Sequence, residues 1–341
     1  MIDVRAATPD DDPAVLQLLQ ASMGWVPDEQ YARFFAWKHR ESPFGASPSW
    51  VATADGEVVG FRTFLRWRFD HDGRTVEAVR AVDTATHPDH QGKGIFSLLT
   101  RHALDELAGM GTGFVFNTPN ERSRPGYLKM GWQLVHKLPV AARPRSALAL
   151  VRLARARTPA DKWSAPCRGG VDALEALADD AAVTDLLART AGSAGSAGSG
   201  TDGSGTDGSG TGTGLRTLRT PEYLRWRYGF PPLRYRAVTG PGGIADGLVI
   251  FRVRRRGAAS EAALCEVLVP GDDAAATRHL LSEVLRSSQA DHAVLLGAAR
   301  PALGFLPVPG QGPTLVWREV TETTPPPPGD WHLTLGDIEL F

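Results

Sequence analysis

The chain has 341 residues, 42% of them hydrophobic, with 37 Lys and Arg against 38 Asp and Glu. That length fits about two domains of roughly 150 residues, each able to bury its own core, and a formal charge of -1 gives no electrostatic case for a nucleic-acid or membrane-surface protein. Two cysteines, Cys167 and Cys265, are too few for a disulfide framework or a thiolate metal cluster, and no apolar run reaches the roughly 20 residues of a membrane helix, so a soluble cytoplasmic protein is expected.

In chain order, "MIDVRAAT" has strand character, and "DDPAVLQLLQASM" follows with an Asp-Pro helix start and an apolar stripe at Val15, Leu18 and Leu19. "SWVATADGEVVGFRTFLRWRF" and "HDGRTVEAVRAVDTATH" come next; their Asp55-Gly56 and Asp72-Gly73 pairs sit between β-rich runs and predict two tight hairpins, hence three antiparallel strands. A glycine-containing turn then opens a helix from Ile95 to Leu107, followed by a short strand "GFVFN" and a short helix ending near "YLKMGW". Because "GFVFN" returns after a helix, it is expected to lie parallel to "VRAVDTATH". "AARPRSALALVRLARARTPADK", from Ala141 to Lys162, reads as a connecting helix without a clear core face. From Ala191 to Gly214 there is only Ala, Gly, Ser, Thr and Asp, a composition that buries no apolar area and predicts a flexible coil. Arginine-rich stretches such as Arg252 to Arg256 read as solvated strand faces.

The second half echoes the first. "FFAWKHRESPFG" is matched by "EYLRWRYGFPPL", with Trp37 on Trp226, and "AVDTATHPDHQGKGIFSLL" by "ALCEVLVPGDDAAATRHLL", with Pro88 on Pro270 and Leu98-Leu99 on Leu280-Leu281. A duplicated domain is the economical reading.

The stretch "HPDHQGKGIFSLLT" places two glycines around a lysine between a strand and a helix. The first N–H groups of a helix lack partners and the helix dipole is positive there, so such a turn suits phosphate oxygens, and glycine lets backbone approach them closely. Neither a G-x-G-x-x-G fingerprint nor a P-loop is present, which disfavours dinucleotide binding and nucleotide hydrolysis.

"HPDHQGKGIF" resembles the acetyl-coenzyme A signature [RQ]-x-x-G-x-[GA] of the GNAT N-acyltransferase superfamily, with Gln91 and Gly94 in place and Phe96 where a small residue is usual. "FNTPNERSRPGYLKMGW" is similar to the family's later motif, with Asn117 ending the splayed strand and Tyr127, Gly131 and Trp132 forming Y-x-x-x-G-[FW]. The resemblance implies an α/β fold, an α+β mixed sheet in each of two tandem domains, mostly antiparallel, flanked by helices and opened by a splayed parallel pair. It implies a catalytic domain over residues 1–140, a linker helix over 141–166, a degenerate domain over 167–320 with the insert 191–214, and a tail over 321–341. Acetyl-CoA is the implied cosubstrate, with no metal; its pantetheine would lie along Ala85, Thr86 and His87, and its diphosphate on the amides of Gln91, Gly92, Lys93, Gly94, Ile95 and Phe96, near Asn117. Lys93 either contacts the diphosphate or faces solvent.

The implied chemistry is direct acyl transfer to an amine. An alkyl amine of pKa about 10.4 is neutral in under about one molecule in a thousand at pH 7, so a proton acceptor is needed, and the departing thiolate benefits from a donor. Tyr127 matches the family's general-acid tyrosine. Asp83 is the one carboxylate in the strand leading to the turn; strand alternation points it away unless a bulge intervenes. A water chain, or the C-terminal carboxylate after Phe341 with Asp337 nearby, are the alternative bases. Trp25, Tyr31 and Phe35 are the candidate substrate-side walls. In the second copy Gln91, Gly92, Lys93 and Gly94 become Asp273, Ala274, Ala275 and Ala276, and no tyrosine matches Tyr127, so that copy is not expected to hold coenzyme A. The expected protein is an N-acetyltransferase acting on a small-molecule amine such as an amino sugar; the other readings are a non-catalytic GNAT-like binding module, or a protein-lysine or aminoacyl transferase.

Overall fold

The computed structural model describes residues 1–26, 28–155, 158–191, 214–321 and 331–339; most of the low-complexity insert, 192–213, and the terminal Phe341 lie outside them. The first half runs β1 (Ile2–Ala6), α1 (Asp12–Met23), α2 (Glu29–His39), β2 (Ser49–Ala54), β3 (Glu57–His71), β4 (Arg74–Thr86), α3 (Ile95–Gly109), β5 (Phe114–Asn117), α4 (Arg124–Lys129), β6 (Gln133–Lys137), β7 (Val140–Pro144) and α5 (Ala147–Arg155). The second half runs β8 (Val171–Asp172), α6 (Ala173–Ala176), α7 (Asp180–Ala191), β9 (Leu215–Thr217), α8 (Pro221–Tyr228), β10 (Arg236–Gly240), β11 (Gly243–Arg256), β12 (Ala259–Leu268), α9 (Ala274–Ser288), β13 (His292–Leu296), β14 (Leu306–Pro307), β15 (Thr314–Glu319), β16 (Trp331–His332) and α10 (Leu335–Ile338).

Both Asp-Gly pairs turn as their chemistry requires. Asp55 and Gly56 have φ of 51° and 88°, Asp72 and Gly73 of 53° and 78°, the double left-handed geometry that joins right-twisted antiparallel strands in two residues. β2, β3 and β4 accordingly form a continuous antiparallel meander. β4 then pairs with β5 in parallel, over Ala78–Phe114, Val79–Val115 and Arg80–Phe116 only. Past Arg80 the two strands part, and the cleft of the first sheet opens there.

The sheets are two copies of one order, each completed by the other half of the chain. The first runs β1-β2-β3-β4-β5-β15-β6 and the second β8-β10-β11-β12-β13-β7-β14. β15 lies between β5 and β6, with Trp317 opposite Phe116. β7 lies between β13 and β14, with Ala142 opposite Val294. β7, whose residues 141–144 open the stretch read above as a connecting helix, is thus a strand of the second sheet, and the helix starts at Ala147.

The seam between the halves is core rather than surface. Trp37 on α2 and Trp226 on α8, repeat-equivalent residues, stack at 5.3 Å, and each indole N–H donates to the other's backbone carbonyl, at 2.8 and 2.9 Å. One apolar cluster runs from Phe34, Phe61 and Trp67 through Tyr223 and Phe230 to Leu248 and Ile250. The Arg252 to Arg256 stretch departs from the solvated face expected of it. Arg252 is fully buried and donates to Glu339 at 3.0 Å, Arg254 and Arg256 bond Glu261, and Arg255 alone is exposed. Inward alternation along β11 and carboxylates on neighbouring elements account for it. Among the described residues no helix is long and apolar enough to cross a membrane.

Candidate active site

The turn after β4 is built for an exposed backbone. Gly92 and Gly94 adopt φ of 75° and 78°, in the left-handed region that side-chain-bearing residues enter only at a cost. No side chain caps the start of α3. Gln91, Gly92, Lys93 and Gly94 are all exposed, while Ile95 is buried against Gly60 of β3, where any Cβ would fall 2.6 Å from the isoleucine. Gly60 is a residue the sequence reading missed; a glycine inside an apolar strand is the signal that marks such a close approach. Phe96, unusual at its position, lays its ring edge-on to Tyr127 at 5.3 Å and close over Gly126; the small residue has moved from the helix to the facing element.

Thr86, at the end of β4, already receives hydrogen bonds on its carbonyl from Ser22 at 2.9 Å and from the Gln91 amide at 3.4 Å. Ala85 is buried, and the His87 N–H donates to Val59 at 2.9 Å. Across the cleft, Asn117 ends β5, buried, with its Oδ1 lacking a partner among the described residues. An orphaned buried acceptor at the mouth of a splay, facing a strand that ends in a left-handed glycine turn, fits a ligand with amide N–H groups and an anionic end.

Tyr127 on α4 is buried, and its hydroxyl oxygen accepts from Arg62 Nη1 at 2.8 Å. Arg62, on β3, also donates to Thr84 Oγ1 and stacks over Phe64 at 4.2 Å. It is fully buried, with Nε and Nη2 lacking partners among the described residues. Nothing in the sequence marks it, because an arginine in a strand reads first as solvated.

Asp83 sits on the bulge that alternation alone could not supply. Phe61 faces Ala85 and Thr63 faces Val82, so Arg62 is opposed by both Asp83 and Thr84, and Asp83 takes φ of 41°. Its carboxylate turns toward α2 and meets Lys38 Nζ at 2.7 Å and His39 Nε2 at 2.9 Å, while His39 Nδ1 lies 3.0 Å from Ser47 Oγ. Burial works to raise the Asp83 pKa, but Lys38 and His39 outweigh it and hold the carboxyl below the usual carboxylate range. Burial pushes His39 down, toward the neutral imidazole.

The floor of the cleft is closed by the chain's last described segment. Arg80, buried on β4, donates to the carbonyls of Asp337 and Ile338 and, at 3.0 Å, to Thr118 Oγ1. Asp337 turns its carboxylate inward, onto Thr334 N at 2.7 Å and Arg219 at 3.3 Å.

The aromatic residues divide. Phe35 is core, packed 4.7 Å from His39 and 6.1 Å from Phe61. Trp25 and Tyr31 line the α1–α2 side together with Phe34, and between them stands a lysine from far along the chain: Lys162 Nζ is 4.6, 4.6 and 4.4 Å from the three ring centroids and 5.5 Å from that of Trp163. Burial, then the charge of Lys38, pushes Lys162 down to about 8. No local signal pointed to Lys162 or Trp163, since Trp25, Tyr31 and Phe34, the rings they meet on the α1–α2 side, lie more than a hundred residues away.

Residues 3–135 match the family model of an acetyltransferase (GNAT) domain. A mycothiol acetyltransferase from Rhodococcus jostii (strain RHA1) is 28% identical over 140 residues, 37% of this chain and 44% of the relative, so the match spans under half of that protein. A probable N-acyltransferase of unknown function from Enterococcus faecalis V583 shares the fold with a TM-score of 0.63 at 14% identity, over 94% of this chain and 73% of the other. A GCN5-related N-acetyltransferase from Kribbella flavida does so with a TM-score of 0.61 at 16% identity, over 94% and 71%. Both structural matches therefore take in the two halves together.

Proposed function

We propose that this chain, which belongs to the GNAT superfamily through its domain at residues 3–135, transfers an acetyl group from acetyl-coenzyme A to a primary amine of a small molecule such as an amino sugar. The observation that carries the reading is the cleft where β4 leaves β5, with a left-handed glycine turn on one side and the orphaned Asn117 Oδ1 on the other. Acetyl-coenzyme A supplies the acyl group as an activated thioester. Gln91 to Phe96 hold its diphosphate on main-chain amides and the dipole of α3, with Lys93 at the exposed rim. Ala85, Thr86 and His87 form the strand edge beside its arm, and Asn117 accepts an amide N–H from it.

Tyr127 is the proton donor to the leaving sulfur. Arg62 donates to the phenol oxygen, so the phenol's own proton is free to point elsewhere. The guanidinium also stabilises the negative charge that forms as that proton departs. Asp83 is a weak base, because its two partners keep it ionised; it serves as the anchor that fixes Lys38 and His39 at the bulge. The acceptor's proton leaves through water; Phe341 lies outside the described residues.

Transfer of labelled acetyl from acetyl-coenzyme A to a panel of primary amines tests the reading, alongside calorimetry of coenzyme binding. Transfer to at least one amine, with measurable heat, is expected; folded protein that gives neither would end it.

A further inference from the structure

Only five of the 37 basic residues are lysines, yet two of them meet on one ring. Phe34 has Lys38 Nζ 5.6 Å from its centroid and Lys162 Nζ 4.4 Å from it. Lys38 is committed to Asp83 at 2.7 Å. Lys162 has no carboxylate within ion-pair distance among the described residues; it stands instead inside Trp25, Tyr31, Phe34 and Trp163. Four aromatic rings around one ammonium form a cage of the kind that recognises alkylammonium ligands. A hollow of about 280 Å³ adjoins it, bounded by Trp25, Tyr31 and Gln20 and given negative charge by Asp28 and Glu29. The rim therefore favours an arriving cation.

We propose that this box is the subsite for the acceptor's reacting alkylammonium, and that Lys162 is its tethered occupant, displaced by the acceptor and acetylated in its absence. The inference rests on the acetyl-transfer reading above and names the substrate class: a small cationic primary amine. The box lies on the α2 side of the sheet, one ring away from the Lys38–Asp83 pair on the bulge of β4, just before the strand edge assigned to the thioester arm. It also prepares an amine for attack. A lysine held at about 8 is neutral in about one molecule in ten at pH 7, against under about one in a thousand for a free alkyl amine. Burial is the main cause and the charge of Lys38 the second. An arginine could fill the space but never lose its proton, which accounts for a lysine in a chain that otherwise prefers arginine.

In the self-reaction the neutral Lys162 Nζ attacks the thioester carbonyl carbon. The C–N bond forms, the C–S bond breaks, and the amine proton ends on the departing thiol, giving acetyl-Lys162 and free coenzyme A with no other reactant. The full chain is incubated with acetyl-coenzyme A alone, then mapped by peptide mass spectrometry over a tenfold range of protein concentration, with exposed Lys129 and Lys137 as internal references for non-enzymatic acetylation. Acetyl on Lys162 above those references, at a first-order rate independent of protein concentration, is expected. Lys162→Arg should lose that label and keep the heat of coenzyme binding. Lys162→Ala should lower the KM for n-butylamine, by about tenfold if the lysine fills the box nine-tenths of the time. Coenzyme binding and butylamine transfer that proceed with Lys162 unlabelled, and with the KM unchanged in Lys162→Ala, would overturn the inference and leave acetyl transfer standing. No heat from acetyl-coenzyme A would remove both.

Discussion

The two sheets carry the same strand order and the same bulge, and they treat that bulge in opposite ways. In the first, Asp83 on the bulge meets Lys38 and His39 of α2. In the second, Ile250 faces Glu266 and Phe251 faces Leu264, which leaves Cys265 at the equivalent place, and the α2-equivalent pair is Arg227 and Tyr228. Cys265 brings no charge, so a carboxylate comes from elsewhere: Glu339, at the end of the chain, receives Arg252 at 3.0 Å, Tyr235 at 2.7 Å and Cys265 Sγ at 3.2 Å, with Arg227 at 3.6 Å. The helix starts diverge likewise. α3 opens uncapped behind two left-handed glycines, whereas the Asp273 carboxylate accepts from Ala275 N at 2.7 Å and Ala276 N at 3.0 Å. The second copy has spent on itself the groups that the first leaves available to a ligand.

The largest test of that contrast is Tyr127→Phe, which leaves Arg62 and the aromatic packing in place. Positioned proton transfer is worth about 10²- to 10⁴-fold, and kcat is expected to fall by that much with the KM for acetyl-coenzyme A little changed. In the second copy, Tyr228→Phe removes a buried bond to Glu266 at 2.8 Å. It should lower stability by about 1–3 kcal/mol and leave kcat alone. Steady-state kinetics and urea unfolding on both variants read the difference.

Glu339→Gln comes next. Removing one charge from a buried ion-pair network costs about 3–5 kcal/mol, read by urea unfolding at neutral pH. Burial works to raise the Glu339 pKa, but Arg252, Arg254 and Arg227 outweigh it and hold the group at about 2. A depressed folded-state pKa means that this stabilisation is full above the ordinary carboxylate range and fades as pH falls from about 5 toward 2. The gap between native protein and Glu339→Gln should therefore narrow over that window. A gap that stays constant to pH 2 would show that the charge on Glu339 is not what the arginines require.

Gly94→Val forces a β-branched residue to φ of 78°. Strain of about 1–3 kcal/mol should weaken acetyl-coenzyme A binding by about 10- to 100-fold in calorimetry. Ala276→Val, at the same register of the second copy, should leave that affinity unchanged.

What could be read from the sequence was local. Asp55-Gly56, Asp72-Gly73 and the Gly92 to Gly94 turn declare themselves because a left-handed φ is a demand of single residues. The pairing of Trp37 with Trp226 was visible as a repeat, although their mutual hydrogen bonds were not. The exchange of β7 and β15 left no trace, since a strand alternates alike in its own sheet and in its neighbour's; "ARPRSALAL" reads as part of a connecting helix without a clear core face. Arg62, Arg252 and Lys162 escaped for a related reason. A buried or half-buried cation looks like a solvated one until its ring or carboxylate partner arrives from another element, Tyr127 for Arg62 and, from across the chain, Glu339 for Arg252 and Phe34 for Lys162.

The smallest effect, Asp273→Ala, probes the contrast most finely. Loss of a helix N-cap of this kind costs about 1 kcal/mol, a modest drop in thermal midpoint. The substitution also uncovers the first amides of α9, the groups the first copy presents through its glycine turn. If an uncapped helix start were enough, the variant would take up a second equivalent of acetyl-coenzyme A. It should not: Ala274 and Ala276 stand where Gly92 and Gly94 shape the turn, so the amides are freed without a backbone bent to receive a diphosphate. Calorimetric stoichiometry that stays at one per chain would locate the difference between the copies in the conformation of the turn; a rise to two would locate it in a single carboxylate.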